Sequence, residues 1–360
     1  MKVWSYLRHR PHHRTGSPEL EHAFATVSHL QDSEAVRVEQ LQAHVYRVAV
    51  RNDHRVRSLI FKRLEPDRAL RNRLVLERWL PAVGLEEIGA RLLGASAEPD
   101  GRFVWHISAD LGNDSLAAEE PDPALVATAV DAIARLHTHF AGHSLLGECR
   151  LWGGDLGIHF FASSVRDAIY SLESLRHPSV SLEPDQRHLR DDLLHRLRRL
   201  LEEESDRARE IQEWGGPETL LHGDLWRNNI FVEPTPAGPR ARLIDWDHAA
   251  VGPVSYDLST FLSRFRPEDR PWILERYEEC VAPAGWKLPG REELNRLFDT
   301  GEHARIVNRL IWPAIAVRRG QHVDWGVKKL AEVAGWLEGV RPVLPVSAAG
   351  GRLFPGGGGR

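Results

Sequence analysis

The sequence predicts an α+β protein in which a small antiparallel sheet is followed by a larger, mainly helical region. Three observations predict it. Between residues 35 and 64, three short runs rich in Val, Ile, Tyr and Phe are separated by turn-like pieces, the pattern of an antiparallel meander. From residue 123 onward the apolar spacing lengthens to three or four, as in amphipathic helices. The chain has 360 residues, 42 % hydrophobic and 27 % charged, an ordinary globular balance that suits two compact units or one fold with two lobes and excludes wholesale disorder.

Taken in order, the first eighteen residues mix charge, proline and histidine without a sustained period and read as a loosely ordered tail. His9, His12 and His13 lie there with no carboxylate or cysteine to complete a metal site. A short helix is expected over 19–30. The meander follows as AVRVEQL (35–41), VYRVAV (45–50) and VRSLIFKRL (56–64), with the Asn52-Asp53 turn between the last two. Pro66 opens a helix that runs to about Leu80. LLGAS (92–96) and FVWHI (103–107) flank Pro99-Asp100-Gly101 and read as a further strand pair. Residues 123–140 put Val126, Val130, Ile133, Leu136, His137 and Phe140 on one helical face, which makes His137 a core histidine rather than a ligand. The charged stretch 185–213, with Leu189, Leu193, Leu197 and Leu200 at helical spacing, reads as one exposed helix laced with i,i+4 ion pairs. Two short apolar runs, LLHG (220–223) and ARLIDW (241–246), interrupt the helical region. Further helices are expected at 267–282, 291–318 and 325–339, before a Gly-rich end. The expected organisation is a tail at 1–18, an N-terminal lobe at 19–110, a C-terminal lobe at 111–345 and a Gly-rich tail at 346–360.

A formal charge of −4 gives no global positive field, so neither nucleic acid nor an anionic membrane is an expected partner. No apolar run reaches the ~18 residues needed to cross a bilayer. Cys149 and Cys280 are too few for a disulfide framework. A cytoplasmic enzyme is the expectation. Only five of the 47 basic residues are lysines, namely Lys2, Lys62, Lys287, Lys328 and Lys329. A lysine inside an apolar segment is therefore an informative choice, and Lys62 sits in the third strand.

Chemically useful groups concentrate in HGDLWRNNIFV (222–232) and LIDWDHAAVGP (243–253). Each holds an apolar run that reads as a buried strand with an aspartate beside it. A carboxylate near such a strand needs a partner, because burying an unpaired charge is costly. A hard cation is an economical one. The carboxylate of Asp245, the amide oxygen of Asn229 and phosphate oxygens suit Mg²⁺, which prefers oxygen ligands. Asp224 is then available as a base.

The spacing HxDxxxxN followed by a strand-borne Asp resembles the protein-kinase-like fold. The HGD form with a later IDW is similar to the aminoglycoside phosphotransferase and choline kinase superfamily of small-molecule kinases. Ile133-Ala134-Arg135-Leu136-His137 and GPVSYDL (252–258) add to the likeness, which spans roughly residues 35 to 265. The resemblance implies a two-lobe fold, with a small antiparallel-sheet N-lobe and a mainly helical C-lobe. It also implies ATP, or another nucleoside triphosphate, and Mg²⁺ as cofactors and a hydroxyl on a small molecule as acceptor, whether an aminoglycoside, a sugar, an amino alcohol or another natural product. Within it, Asp224 accepts or orients the acceptor proton. Asn229 and Asp245 hold Mg²⁺ across the β- and γ-phosphates. Lys62 reaches the α- and β-phosphates, with Glu77 as the candidate helix partner that pins it. His222 steadies the loop, and Asp257 braces its backbone from a following helix. The adenine is expected between the lobes, against the backbone from Ser108 to Leu111.

Two features depart from the pattern. The turn Gln40-Leu41-Gln42-Ala43-His44 contains no glycine to let backbone N–H groups close over phosphates, so nucleotide contact from it is expected to be looser or to come from side chains, with His44 the candidate. Trp226-Arg227 fills the middle of the HGDxxxxN loop, which makes Arg227 a candidate to place positive charge near the γ-phosphate. An alternative class is a non-catalytic nucleotide-binding module of the same fold, suggested by the missing glycines and weighed against by the presence of Lys62, Asp224, Asn229 and Asp245 together. A metallohydrolase ranks last, because the nineteen histidines lack ligand spacing. Trp152, Asp155, Trp246 and Asp247 are candidate lining residues for the acceptor.

Overall fold

A computed structural model describes residues 18–27, 33–52 and 55–345. The expected tails, apart from Pro18, and residues 28–30 of the expected first helix lie outside the described residues. The chain forms two compact units. One runs through Leu156 and adds Pro217–Phe261 and Glu279–Trp286; the other comprises Gly157–Gly216, Leu262–Glu278 and the chain from Lys287.

The first unit begins with helix α1 (Pro18–Thr26) and a five-stranded antiparallel sheet made of β1 (Glu34–Gln42), β2 (Val45–Asn52), β3 (Arg55–Leu64), β4 (Leu92–Ala97) and β5 (Val104–Ala109), in the order β1-β2-β3-β5-β4. Strand alternation sorts the side chains onto two faces. Val48, Val50, Leu59, Phe61, Trp105 and Ile107 are buried in one core with Leu20, Ala23 and Phe24 of α1. Their neighbours Val45, Arg47, Ile60, Lys62, His106 and Ser108 line a cavity on the opposite face. A one-residue slip of register would exchange the two sets, so packing of the core face against α1 is what aims Lys62 at the cavity. Between β3 and β4 lies α2 (Pro66–Leu74), with proline in its first turn, where a missing N–H costs nothing. A wide π-helical turn, Val75–Trp79, continues it into α3 (Leu80–Ala82).

Helix α4 (Pro123–Phe140) is capped by Asp122, whose side chain accepts from Ala124 N–H at 2.8 Å, satisfying one of the donors left over at a helix start. After α5 (Leu146–Gly153) the chain builds α6 (Ile158–Glu173), α7 (Pro184–Glu202) and α8 (Glu204–Trp214). Two small ribbons follow. One pairs β6 (Glu218–Leu221) with β9 (Ala250–Pro253), the other β7 (Ile230–Thr235) with β8 (Gly238–Leu243). Helices α9 (Ser255–Leu262), α10 (Arg270–Val281), α11 (Arg291–Asn308), α12 (Ile311–Arg318) and α13 (Val323–Gly339) complete the described chain.

Two helical expectations are corrected. The stretch 185–213 is two helices, α7 and α8, joined at Glu203, and its leucine stripe is not exposed. Leu193, Leu194, Leu197 and Leu200 are buried with Phe161, Val165 and Leu172 of α6 and with Val307, Leu330 and Val333. Most of the charges that suggested exposure occupy the outer face, while Arg207 is buried and paired with Glu203 and Asp299, and a helix needs one apolar residue in three or four to bury the other face. The stretch 291–318 likewise breaks at Arg309 and Leu310 into α11 and α12. Among the described residues, no helix is long and apolar enough to cross a membrane.

Candidate active site

The HGD segment leaves β6 at Leu221, and its backbone is fixed from α9. The Asp257 carboxylate accepts the N–H of His222 at 2.7 Å and that of Gly223 at 3.0 Å, and the Nε2 of His137 lies 3.4 Å from it. Burial pushes this carboxyl up, yet the hydrogen bond and charge of His137 and the contacts from His222 hold it below its ordinary value. Gly223 has φ +79°, and a Cβ there would sit 2.0 Å from the carbonyl oxygen of His248. No side chain fits, so the glycine is dictated by a close backbone approach. His222 turns Nε2 to the carbonyl oxygen of Ile244 at 2.8 Å and receives Asp224 N–H on Nδ1 at 3.3 Å. A carbonyl only accepts, so the proton is assigned to Nε2. The ring rests on Trp246 with centroids 4.6 Å apart.

The next turn brings Asp224 and Asn229 together. Asn229 Nδ2 donates to the Asp224 carbonyl at 2.9 Å and lies 3.3 Å from its Oδ2. That fixes the amide's orientation and leaves Oδ1 on its other edge. The Asn229 carbonyl accepts Ile244 N–H at 2.9 Å, which ties this loop to the strand preceding Asp245. Asp245 adopts left-handed backbone angles, φ 69° and ψ 52°, a region rarely used outside Gly, Asn and Asp. Lys62 pairs with the Asp245 carboxylate and has its Nζ 3.7 Å from Asp247 Oδ2. Burial pushes the Asp245 carboxyl up, but the hydrogen bond with Asp247 and the Lys62 ammonium outweigh it and hold the group low. Asp247, pushed up by its own burial and by the charge of Asp245, shifts the opposite way.

Helix α2 reaches the same loop. Arg71 donates to the carbonyls of Asp247 at 2.7 Å and Trp152 at 3.1 Å. Asn72 Oδ1 accepts Trp246 N–H at 3.3 Å while its Nδ2 lies 2.9 Å from His106 Nδ1.

Lys62, Asn229 and Asp245 therefore line one cavity of about 230 Å³, whose wall also includes Ser108 and Leu111. Asp224 adjoins it through Asn229. The backbone after β5 is held by Arg47, whose Nε is 2.7 Å from Asp110 Oδ2 and whose Nη2 donates to the Gly112 carbonyl at 2.9 Å. Arg227 lies on the loop and donates to the carbonyl of Ala118 at 3.0 Å. Trp246 is fully buried, and Asp155 receives Arg150 Nε at 3.1 Å.

Two expected residues sit elsewhere. Glu77 pairs with Arg73 at 2.6 Å, its side chain 46 % exposed, and it does not pin Lys62. The inward positions of this helix are Ala69, Asn72, Val75, Leu76 and Trp79, and it is Asn72 and Leu76 that line the cavity. At the β1–β2 turn, Leu41 and Gln42 line the cavity, while His44 contributes its carbonyl to Arg63 N–H at 2.9 Å. Asn72, Arg71 and Arg47 are the site residues the sequence did not reveal.

Among the described residues no cluster of three or more His, Cys, Asp or Glu is placed to hold a metal. The donors that Asn229 and Asp245 offer a metal on the cavity wall are oxygens, the Asn229 Oδ1 and the Asp245 carboxylate, and the Asp247 carboxylate is near them, its Oδ2 3.7 Å from Lys62 Nζ. Asp247 Oδ1 is buried without a hydrogen-bond partner. The all-oxygen pair of Asn229 and Asp245 fits Mg²⁺ rather than a softer ion.

Two solved structures share this arrangement of elements. A spectinomycin phosphotransferase, APH(9)-Ia, in complex with ADP and spectinomycin, aligns with a TM-score of 0.55 at 14 % identity, covering 88 % of this chain and 99 % of that one. An ethanolamine kinase of Plasmodium vivax aligns with a TM-score of 0.52 at 15 % identity, covering 85 % of this chain and 82 % of that one. No curated protein sequence matches the chain. The five-stranded sheet and the mainly helical remainder thus have the protein-kinase-like two-lobe fold of these two structures. The sequence profile of the phosphotransferase enzyme family (APH) matches residues 37–286, and the chain belongs to that family.

Proposed function

We propose that this enzyme transfers the γ-phosphate of ATP, with Mg²⁺, to a hydroxyl of a small molecule. The convergence of Lys62, Asn229 and Asp245 on one cavity, with Asp224 hydrogen-bonded to Asn229 at its edge, is the observation that carries this reading. The purine lies against Ser108–Leu111, where Arg47 holds the backbone. Lys62 exchanges its carboxylate partners for the α- and β-phosphate oxygens, a point charge being suited to either. Asn229 and Asp245 would hold Mg²⁺, which supplies charge neutralisation for the phosphates. Asp224, fixed through its carbonyl by Trp226 N–H at 2.8 Å and Asn229, accepts the hydroxyl proton as the oxygen attacks. Arg227 adds positive charge to the transferring group.

The acceptor is drawn from hydroxyl-bearing small molecules: aminoglycosides, amino alcohols, sugars and other natural products. The test is a mass-spectrometric screen of such a panel with Mg-ATP, reading the added mass of one phosphate. Wild type should phosphorylate at least one acceptor. Asp224→Asn should turn over ~10²–10⁴-fold more slowly with ADP affinity little changed, and Arg227→Ala should also slow turnover while sparing nucleotide affinity. Phosphoryl transfer by Asp224→Asn at the wild-type rate would overturn the assignment.

A further inference from the structure

We propose that Asn72 is a positioning residue for the phosphoryl-transfer site, bridging His106 to the backbone at Trp246 so that the adjacent Asp245 carboxylate is held ready for a divalent cation. The inference rests on the function proposed above and deepens it.

Hydrogen-bond polarity decides the bridge. Trp246 N–H can only donate, so Asn72 turns Oδ1 toward it, at 3.3 Å. Nδ2 then occupies the other edge of the amide, 2.9 Å from His106 Nδ1. An amide NH₂ only donates, so Nδ1 is the bare nitrogen and the ring carries its proton on Nε2. His106 is buried on β5, directly paired with Lys62. Burial first, and the charge of Lys62 second, push its pKa down to about 4, which keeps the ring neutral and Nδ1 able to accept. An amide serves both neighbours with the ring protonated on Nε2, whereas a carboxylate on this helix could serve Trp246 but not that tautomer of His106.

The loop needs such an anchor. Asp245 is held at φ 69°, and a residue in that region persists where its surroundings over-determine it. Two anchors come from consecutive residues of α2: Asn72 takes the N–H after Asp245, and Arg71 binds the carbonyl of Asp247 at 2.7 Å. With Glu77 engaged by Arg73, α2 acts on the site through the loop backbone and not through an ion pair to Lys62. Removing groups that support a metal ligand without touching the metal typically weakens affinity 10–100-fold.

Three variants test this. Asn72→Ala removes both bonds, Asn72→Leu fills the same space without them, and Asn72→Asp keeps the acceptor for Trp246. In the ligand-free protein, ¹⁵N NMR of the His106 ring, identified by its loss in His106→Gln, should report the Nε2–H tautomer in wild type and a mixture in the Leu variant. With saturating ADP, Mn²⁺ binding followed by EPR should weaken about tenfold or more in the Ala and Leu variants and within about threefold in the Asp variant. ADP affinity in EDTA should stay within about twofold throughout, since the anchor acts on the cation site. Circular dichroism identifies any variant that does not fold, and the Asp variant keeps the comparison available. Mn²⁺ binding by Asn72→Leu equal to wild type, an Asp variant as weak as the Leu variant, or a wild-type ring protonated on Nδ1 would each overturn the proposal. A wild-type protein that binds neither ADP nor Mn²⁺ would instead overturn the function on which it rests.

Discussion

Lys62 shows how one residue was legible in the sequence. In a chain that uses arginine for most of its positive charge, a lysine in an apolar strand stood out, and it lies on the cavity face of β3. Asp224, Asn229 and Asp245 were legible through their spacing. Asn72 was not, because an asparagine in PDRALRNRL looks like any exposed helix residue and its partners lie 34 and 174 positions away. His106 was equally silent, yet it carries a titration. Its folded pKa of about 4 lies below the ordinary value of 6.5, so between those pH values the unfolded chain binds more protons, and stability falls as pH drops through that window. The contribution is on the order of 3 kcal/mol at full effect. His106→Gln should therefore lose less stability than wild type between pH 7 and pH 4 in denaturant titrations. Parallel acid profiles for the two proteins would refute a neutral, buried His106.

At the scale of elements, strands were read more faithfully than helix ends. The three runs of the meander became β1, β2 and β3 because alternation and turn chemistry act locally. The helix after Pro66 was expected, but its π-helical turn at Val75–Trp79 was not. Glu77, the expected partner of Lys62, pairs instead with Arg73 one turn earlier, and Asn72 and Leu76 are the residues of this helix that line the cavity. The break at Glu203 carries no Gly or Pro signal, whereas the break at Arg309 lies four residues before Pro313, which has no N–H for the Arg309 carbonyl and whose ring would clash with it in a continuous helix. The first is absent from the local pattern, since propensity alone does not end a helix there; the second was legible in Pro313. The brace from α9 is the element-level claim with the sharpest consequence. Asp257 is completely buried and receives two backbone N–H groups of the HGD segment. Asp257→Ala would leave these donors and His137 without their acceptor, and should cost about 3–5 kcal/mol of unfolding free energy. Because its folded pKa is lowered, this carboxylate stabilises above the ordinary carboxylate range, and the contribution is lost as pH falls through the folded value. A variant within ~1 kcal/mol of wild type would show that the brace is dispensable.

For the whole molecule, the order of sheet and helices and the segments 222–232 and 243–253 were enough to suggest the fold, and the family match over residues 37–286 agrees. The acceptor could not be read in the same way, since fold does not dictate substrate. The central claim is narrower: Lys62, Asn229 and Asp245 form one nucleotide–cation site. Calorimetric titration of ADP, with Mg²⁺ and with EDTA, tests it without knowledge of the acceptor. Wild type should bind ADP and bind it more tightly with Mg²⁺. Lys62→Met should weaken binding under both conditions, and Asp245→Asn should abolish the gain from Mg²⁺ alone. A wild-type protein that does not bind ADP, or variants that bind it as wild type does, would contradict the account.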